Sequence, residues 1–249
     1  GGSSPFPRSA PAALFVTGTL ATARGQACRS RTSSSAKAVA SSAEKQWRHR
    51  RVQVDADPVE YRIETLDLAG GAAALQPWQL RGLAELEREH QLGLLGHDDF
   101  ARDPAQIAAW STNRSSVRRL IVLAREATAG PVPGAIVGAA MMDLPLLDNT
   151  HLAWASVTVR AAHRRRGLGT ALWREVWAAT REDGRTTVIA DTAHLPAQAP
   201  AEHRVPPATG TGYLDDREGP TCFARTMGLP LIQAERQSTQ QLPTPPAHL

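Results

Sequence analysis

VTVRAAHRRRGLGTALWREVWAATREDGRTTVIADT, Val157 to Thr192, decides how this chain is read. It runs as a strand, a tight basic turn with two glycines, a helix and a second strand. The helix is expected from about Gly167, with Leu168, Leu172, Val176 and Ala179 on one face at three- and four-residue spacing. Gly184 suits its C-terminal cap. The start of that helix coincides with Arg164, Arg165, Arg166, Gly167, Leu168, Gly169 and Thr170. Glycines let a backbone come close to a ligand, and the free N–H groups of a helix start attract an anion. Three guanidinium groups add charge-assisted hydrogen bonds. On physical grounds this is a cradle for a pyrophosphate.

The nucleotide patterns do not fit it. G-x-x-x-x-G-K-[ST] is absent, and Gly167-Leu168-Gly169 is followed by Thr170, Ala171 and Leu172 rather than by a third glycine at the dinucleotide spacing. Arg164-x-x-Gly167-x-Gly169, entered from the V-x-V strand of Val157 and Val159, resembles the [RQ]-x-x-G-x-[GA] signature of the GNAT acetyltransferases. The resemblance covers roughly Val59–Leu242 and is most specific over Ala155–Thr192. It implies a mixed α/β fold, a splayed sheet flanked by helices, in which the V-x-V strand parts from the next strand. Acetyl-CoA is then the implied co-substrate. Its pantetheine would pair with the backbone of Val157 and Val159, and its pyrophosphate would rest on the N–H groups of Arg165 through Thr170. The resemblance also implies direct attack of an amine, from a small molecule or a protein, on the acetyl thioester. Such a site must deprotonate an ammonium, stabilise an oxyanion and protonate a thiolate. A backbone N–H of the Val157–Val159 strand is the natural oxyanion donor.

Outward from that stretch the pattern stays mixed α/β. Val59–Leu68 alternates as a strand, and Gln76–Leu95 reads as a helix with Pro77 in its first turn. Asp103 caps a second short helix carrying Ile107 and Trp110. Arg119–Ala124, Ala135–Met142 and His151–Val159 read as three consecutive strands. After the decisive stretch, Ala193–Gly219 is expected to be a long irregular loop, Thr221–Met227 a short helix and Leu231–Leu242 a last strand. Residues 1–54 mix Ser, Ala, Arg and Pro without periodicity and are expected to be a disordered basic tail. Residues 55–242 form the expected acetyltransferase-like domain, and 243–249 a Pro-rich end or linker.

The acid and the base are less legible. Many members of the family carry a tyrosine, acid toward the thiolate, at the position of Ala224, and Leu229 replaces their usual Phe. Tyr213 could supply a phenol from the preceding loop. Asp191, ending the strand after the cradle, is the leading base, with Asp143 and His151 as alternatives. His97-Asp98-Asp99 forms an acidic turn able to meet a cationic amine. Trp154, Trp173 and Trp177 read as core. No spacing of the eight histidines suggests a metal site, and Cys28 and Cys222 cannot build a zinc site.

Charge limits the partners. Of 28 Lys and Arg, nine lie in residues 1–54 against Glu44 alone, so the remaining 19 face 23 acids. The basic character belongs to the tail, and no nucleic-acid partner is expected. No apolar run reaches membrane-spanning length, and a cytoplasmic location is expected. Ala12–Ala23 only faintly resembles a signal-peptide core. The ending ERQSTQQLPTPPAHL is similar to the junction at which tandem members of the family pass to a second copy. A domain that binds acyl-CoA without turning it over, or an inactive half of a tandem protein, is therefore the alternative to an active enzyme.

Overall fold

The computed structural model describes residues 14–19, 60–112, 115–127, 134–195 and 198–236. In chain order they form β1 (Leu14–Thr19), β2 (Tyr61–Asp67), α1 (Pro77–Leu95), α2 (Pro104–Thr112), β3 (Val117–Glu126), β4 (Ile136–Pro145) and β5 (Leu152–Val159). Then follow α3 (Leu168–Glu182), β6 (Thr187–His194), β7 (Arg204–Val205), β8 (Leu214–Asp215), α4 (Gly219–Thr226) and β9 (Leu231–Arg236). One sheet runs β2-β3-β4-β5-β6-β1-β9, and β7 pairs with β8 separately. Neighbours are antiparallel except β5 and β6, which are parallel and joined through α3.

Local chemistry explains the helices. The Gln76 N–H donates to the Gln79 side chain at 2.7 Å, and Pro77 costs no bond in the first turn. Asp103 and Gln106 cap α2 reciprocally at 2.7 and 2.8 Å. In α3, Leu168, Leu172 and Val176 are fully buried, each contributing about 1.5–3 kcal/mol by burial. Gly184 follows α3 at φ 75°, a conformation that favours glycine. Arg185 then ties this end to the Leu152 and Pro145 carbonyls at 2.5 and 2.9 Å.

Strand β3 is apolar on both faces because both are covered. Leu120, Val122 and Ala124 join the core under α3, whereas Ile121 and Leu123 join the core under α1 and α2. The sheet is thus the middle of three layers.

Three expectations change. Within residues 1–54, Leu14–Thr19 is a strand, antiparallel to both β6 and β9; its Phe15, Val16, Thr17 and Thr19 are residue types favoured in strands. The rest of that segment, with Cys28, and residues 237–249 lie outside the described residues. Between 193 and 219 the chain is ordered more than an irregular loop would be. β6 runs on to His194, a 3₁₀ turn covers Ala201–His203, and Arg204 and Val205 pair with Asp215 and Leu214. Such two-residue strands are too short to show a period. Trp154 is 39% exposed rather than core, since alternation turns it to the α1/α2 face while Ala153 and Ala155 face α3. Trp173, by contrast, is buried.

Candidate active site

The ladder between β5 and β6 begins at Leu152 with Thr187 and stops at Ala155 with Ala190. Both strands continue, β5 against β4 as far as Val159 with Gly138, and β6 against β1 as far as His194 with Leu14. Ser156–Val159 and Asp191–His194 therefore line a wedge-shaped opening in the sheet. The Arg160 N–H donates to the Val137 carbonyl on β4 at 2.9 Å. Successive residues of a strand direct their backbone groups to alternate edges, so Val159 and Val157 direct theirs into the opening. Their side chains pack in the core under α3.

The basic turn stands at the mouth of this opening. Arg164 reaches back and donates from Nε to the Val159 carbonyl at 2.9 Å. Arg165 holds the left-handed conformation at φ 61°, rare for a side chain of its kind. Gly167, at φ 76°, is the N-cap of α3 and has no side chain to cap it, so the first N–H groups of the helix present themselves outward. Leu168 is buried and anchors the turn from below. Arg160 fixes the approach, donating to the Ile136 carbonyl at 2.8 Å and pairing with Glu89 at 2.7 Å. On the other side of the turn, the Tyr61 hydroxyl meets His163 Nδ1 at 3.0 Å. Burial and, after it, the charge of Arg164 hold His90 on α1 below the ordinary histidine value.

Gly169 also stands against α4. A Cβ built there would stand 3.3 Å from the Phe223 ring, so this glycine admits α4 against α3.

The other candidates fall as follows. Asp191 is exposed at the vertex of the opening, and alternation places it with Ile189 on the α1/α2 face, opposite Val188 and Ala190. Ser156 and Trp154 share that face. Asp143 is tied to Arg119 at 3.1 Å. His151 precedes β5 at the far end of the strand, roughly 16 Å from the vertex at 3.3 Å per residue. Tyr213 packs under the Arg204 guanidinium, 4.4 Å from its ring centroid. In the acidic turn, Asp98 pairs with Arg88 of α1 at 2.7 Å, and His97 Nδ1 lies 3.1 Å from Asp99.

Two hollows lie near these elements. One of about 350 Å³ sits between α1 and the α1–α2 connection, lined by Arg81, Glu85, Arg88, Asp98 and Arg102 among others, and contains no residue of the opening. The other, about 40 Å³, lies beside α4 and is lined by Ala190, Thr192, Thr221, Ala224, Arg225 and Leu229 among others. Its lining residue Thr192 belongs to a cluster that sequence spacing did not reveal. His194 Nδ1 meets Glu218 at 2.5 Å, and His194 Nε2 meets the Thr192 hydroxyl at 2.9 Å. Among the described residues no group of three His, Cys, Asp or Glu side chains is placed to hold a metal ion. No helix of the described residues is long and apolar enough to cross a membrane.

The sequence model of the acetyltransferase (GNAT) family matches residues 80–203. A GCN5-related N-acetyltransferase from Sphaerobacter thermophilus is 14% identical, with a TM-score of 0.48, over 95% of this chain and 56% of that one. A tandem GNAT protein from the clavulanic acid biosynthesis pathway is 13% identical, with a TM-score of 0.46, over 93% and 55%. yncA from Salmonella typhimurium, solved with its cofactor acetyl-CoA, is 22% identical, with a TM-score of 0.36, over 52% and 68%. The chain thus spans little more than half the length of the first two structures. No curated protein sequence matches it. The splayed β5–β6 pair, the glycine-capped helix at its mouth and the family match to residues 80–203 together show that this chain belongs to the GNAT acetyltransferase family.

Proposed function

We propose that this chain is an acetyl-CoA-dependent N-acetyltransferase, moving the acetyl group directly to an amine of a small molecule or a protein. The opening between β5 and β6, with an uncapped arginine-flanked helix start at its mouth, carries this reading. An amide-bearing chain such as pantetheine suits the backbone edge that Val157 and Val159 turn to the opening, where the Val159 carbonyl is held by Arg164. A pyrophosphate suits the N–H groups of Arg165 to Thr170 and the guanidinium groups of Arg164, Arg165 and Arg166.

Because α3 packs on one face of the sheet, acetyl-CoA enters from that face, and the amine enters from the α1/α2 face. Asp191, on the amine's face at the vertex, takes the ammonium proton directly or through a water. The Val157 N–H, fixed in the strand before the reaction, stabilises the oxyanion. Acetyl-CoA supplies the activated acyl group, and the setting of this reading is the cytoplasm, where that metabolite is found.

Calorimetric titration with acetyl-CoA, free CoA and ATP tests the proposal. Micromolar binding of acetyl-CoA without binding of ATP is expected, followed by thiol release in a screen of amines. A folded protein that binds neither CoA form would sink it. A second reading, an acyl-CoA-binding domain without turnover, draws on Ala224, which brings no phenol to the wall of the α4 cavity. Binding without thiol release across the screen would favour it.

A further inference from the structure

Resting on that reading, we infer that Thr192 is the proton donor to the leaving thiolate, supplied through a relay of His194 and Glu218. The three side chains form a continuous hydrogen-bonded line. The Thr192 hydroxyl lies 2.9 Å from His194 Nε2, and His194 Nδ1 lies 2.5 Å from a Glu218 carboxylate oxygen. His194 is 1% exposed, so both ring nitrogens are committed within the protein, while the Glu218 side chain is 32% exposed and reaches solvent. The line therefore runs from water to a hydroxyl on the wall of the cavity beside α4.

Position along β6 gives that hydroxyl its task. Thr192 is the second residue beyond Ala190, where pairing with β5 stops, so it belongs to the free edge of the opening. Alternation places it with Val188, Ala190 and His194 on the face that carries α3 and α4. Asp191, one residue earlier, points to the opposite face. The two residues thus separate two proton tasks across one sheet: removal from the amine on one side, delivery to the sulfur on the other. Thr221 lines the cavity with Thr192, and its buried hydroxyl has no hydrogen-bond partner among the described residues. Arg225 is the charged group on that wall, paired with Asp216 at 3.1 Å.

The step balances as follows. The amine nitrogen bonds to the acetyl carbon as the carbon–sulfur bond breaks, and the sulfur leaves with the bonding pair. With both ring nitrogens of His194 protonated, Nδ1–H donates to Glu218 and Nε2–H donates to Thr192 Oγ1. The Thr192 proton passes to sulfur, and Nε2–H replaces it on the hydroxyl. Neutral His194 keeps Nδ1–H on Glu218 and recovers its Nε2 proton from solvent through the Thr192 hydroxyl once the thiol has left. Thr192 is the group that meets the substrate; His194 and Glu218 act through it as positioning residues.

The test uses free CoA as probe, read by the ultraviolet absorbance of its thiolate across pH while bound to the full chain, with calorimetric affinity for acetyl-CoA measured in parallel. In the wild type the bound thiol should ionise at lower pH than in free CoA. In Thr192→Val and in Glu218→Gln the thiolate fraction near neutral pH should fall by about tenfold, its titration midpoint rising by about one pH unit, with acetyl-CoA affinity within about twofold. Arg225 is untouched in both variants, so its charge cannot account for the change. Wild-type ionisation in both, at wild-type affinity, overturns the relay and leaves the proposed function standing. Acetylation of Thr192 after incubation with acetyl-CoA, read by peptide mass, overturns the donor role because the hydroxyl would then be a nucleophile. No acetyl-CoA binding by the folded wild type overturns relay and function together.

Discussion

Gly169 on α3 and Phe223 on α4 stand so close that a Cβ at the glycine would meet the ring at 3.3 Å. The two helices that flank the opening are therefore spaced by one missing methyl group. Gly169→Ala gains about 1 kcal/mol of helix propensity and loses a similar amount to ring displacement, so unfolding in urea should change little. Gly169→Val adds bulk that the ring cannot yield to, and should cost about 1–3 kcal/mol. Phe223→Leu should recover part of that loss in a double-mutant cycle.

Arg165 holds φ 61°, a conformation costing a side chain about 1–2 kcal/mol relative to glycine. Arg165→Gly relieves that strain, while the freer unfolded chain takes back about 0.4–1 kcal/mol. Thermal stability should stay level or rise slightly, and acetyl-CoA affinity should fall several-fold. Arg165→Ala should lose the same affinity without the relief. Calorimetry beside thermal melts of the two variants checks both statements.

His90 is held below its ordinary value of 6.5 by burial first and Arg164 second, with Glu87 opposing. A base with a lowered folded pKa binds more protons unfolded than folded. Its contribution to stability is complete above the unfolded value and is lost as pH falls below it. His90→Gln should therefore flatten the decline in stability on acidification from about pH 7. An anion at Arg164 removes one of the lowering causes, so acetyl-CoA should raise the His90 titration seen by NMR.

Arg119 is 7% exposed and bonds the Trp110 carbonyl at 2.5 Å and Asp143 at 3.1 Å, with its guanidinium 4.6 Å from the centre of the Trp110 ring. Arg119→Met leaves a carbonyl and a carboxylate without their donor. It should cost about 2–3 kcal/mol in urea unfolding, the partial exposure of Asp143 moderating the loss.

Asp191→Asn separates binding from chemistry. With an amine found by the thiol-release screen, kcat should fall by about a hundredfold while acetyl-CoA affinity stays unchanged. Equal loss of both would assign Asp191 to holding the sheet edge instead.

How much of this was legible in the sequence depended on range. α1, α2 and α3 announced themselves because a cap and an apolar stripe are properties of neighbouring residues. The cradle was readable for the same reason, as seven consecutive residues from Arg164. The purpose of Gly169 was not, because Phe223 arrives from 54 positions away. His194 and Glu218 are separated by 24 residues. They meet only because β7 and β8 turn the chain back, and two-residue strands leave no period to detect. The ion pair of Asp98 likewise depended on Arg88, in the helix before the turn.

The placement of β1 ties the sheet to the order of synthesis. Leu14 pairs with His194 on one side and Arg236 on the other, contacts spanning 180 and 222 residues. A strand translated early thus waits for partners translated late, while β2 to β5 can assemble from near neighbours. Contacts that close so large a loop form slowly, so the β6-β1-β9 edge should be the last part of the sheet to consolidate during folding.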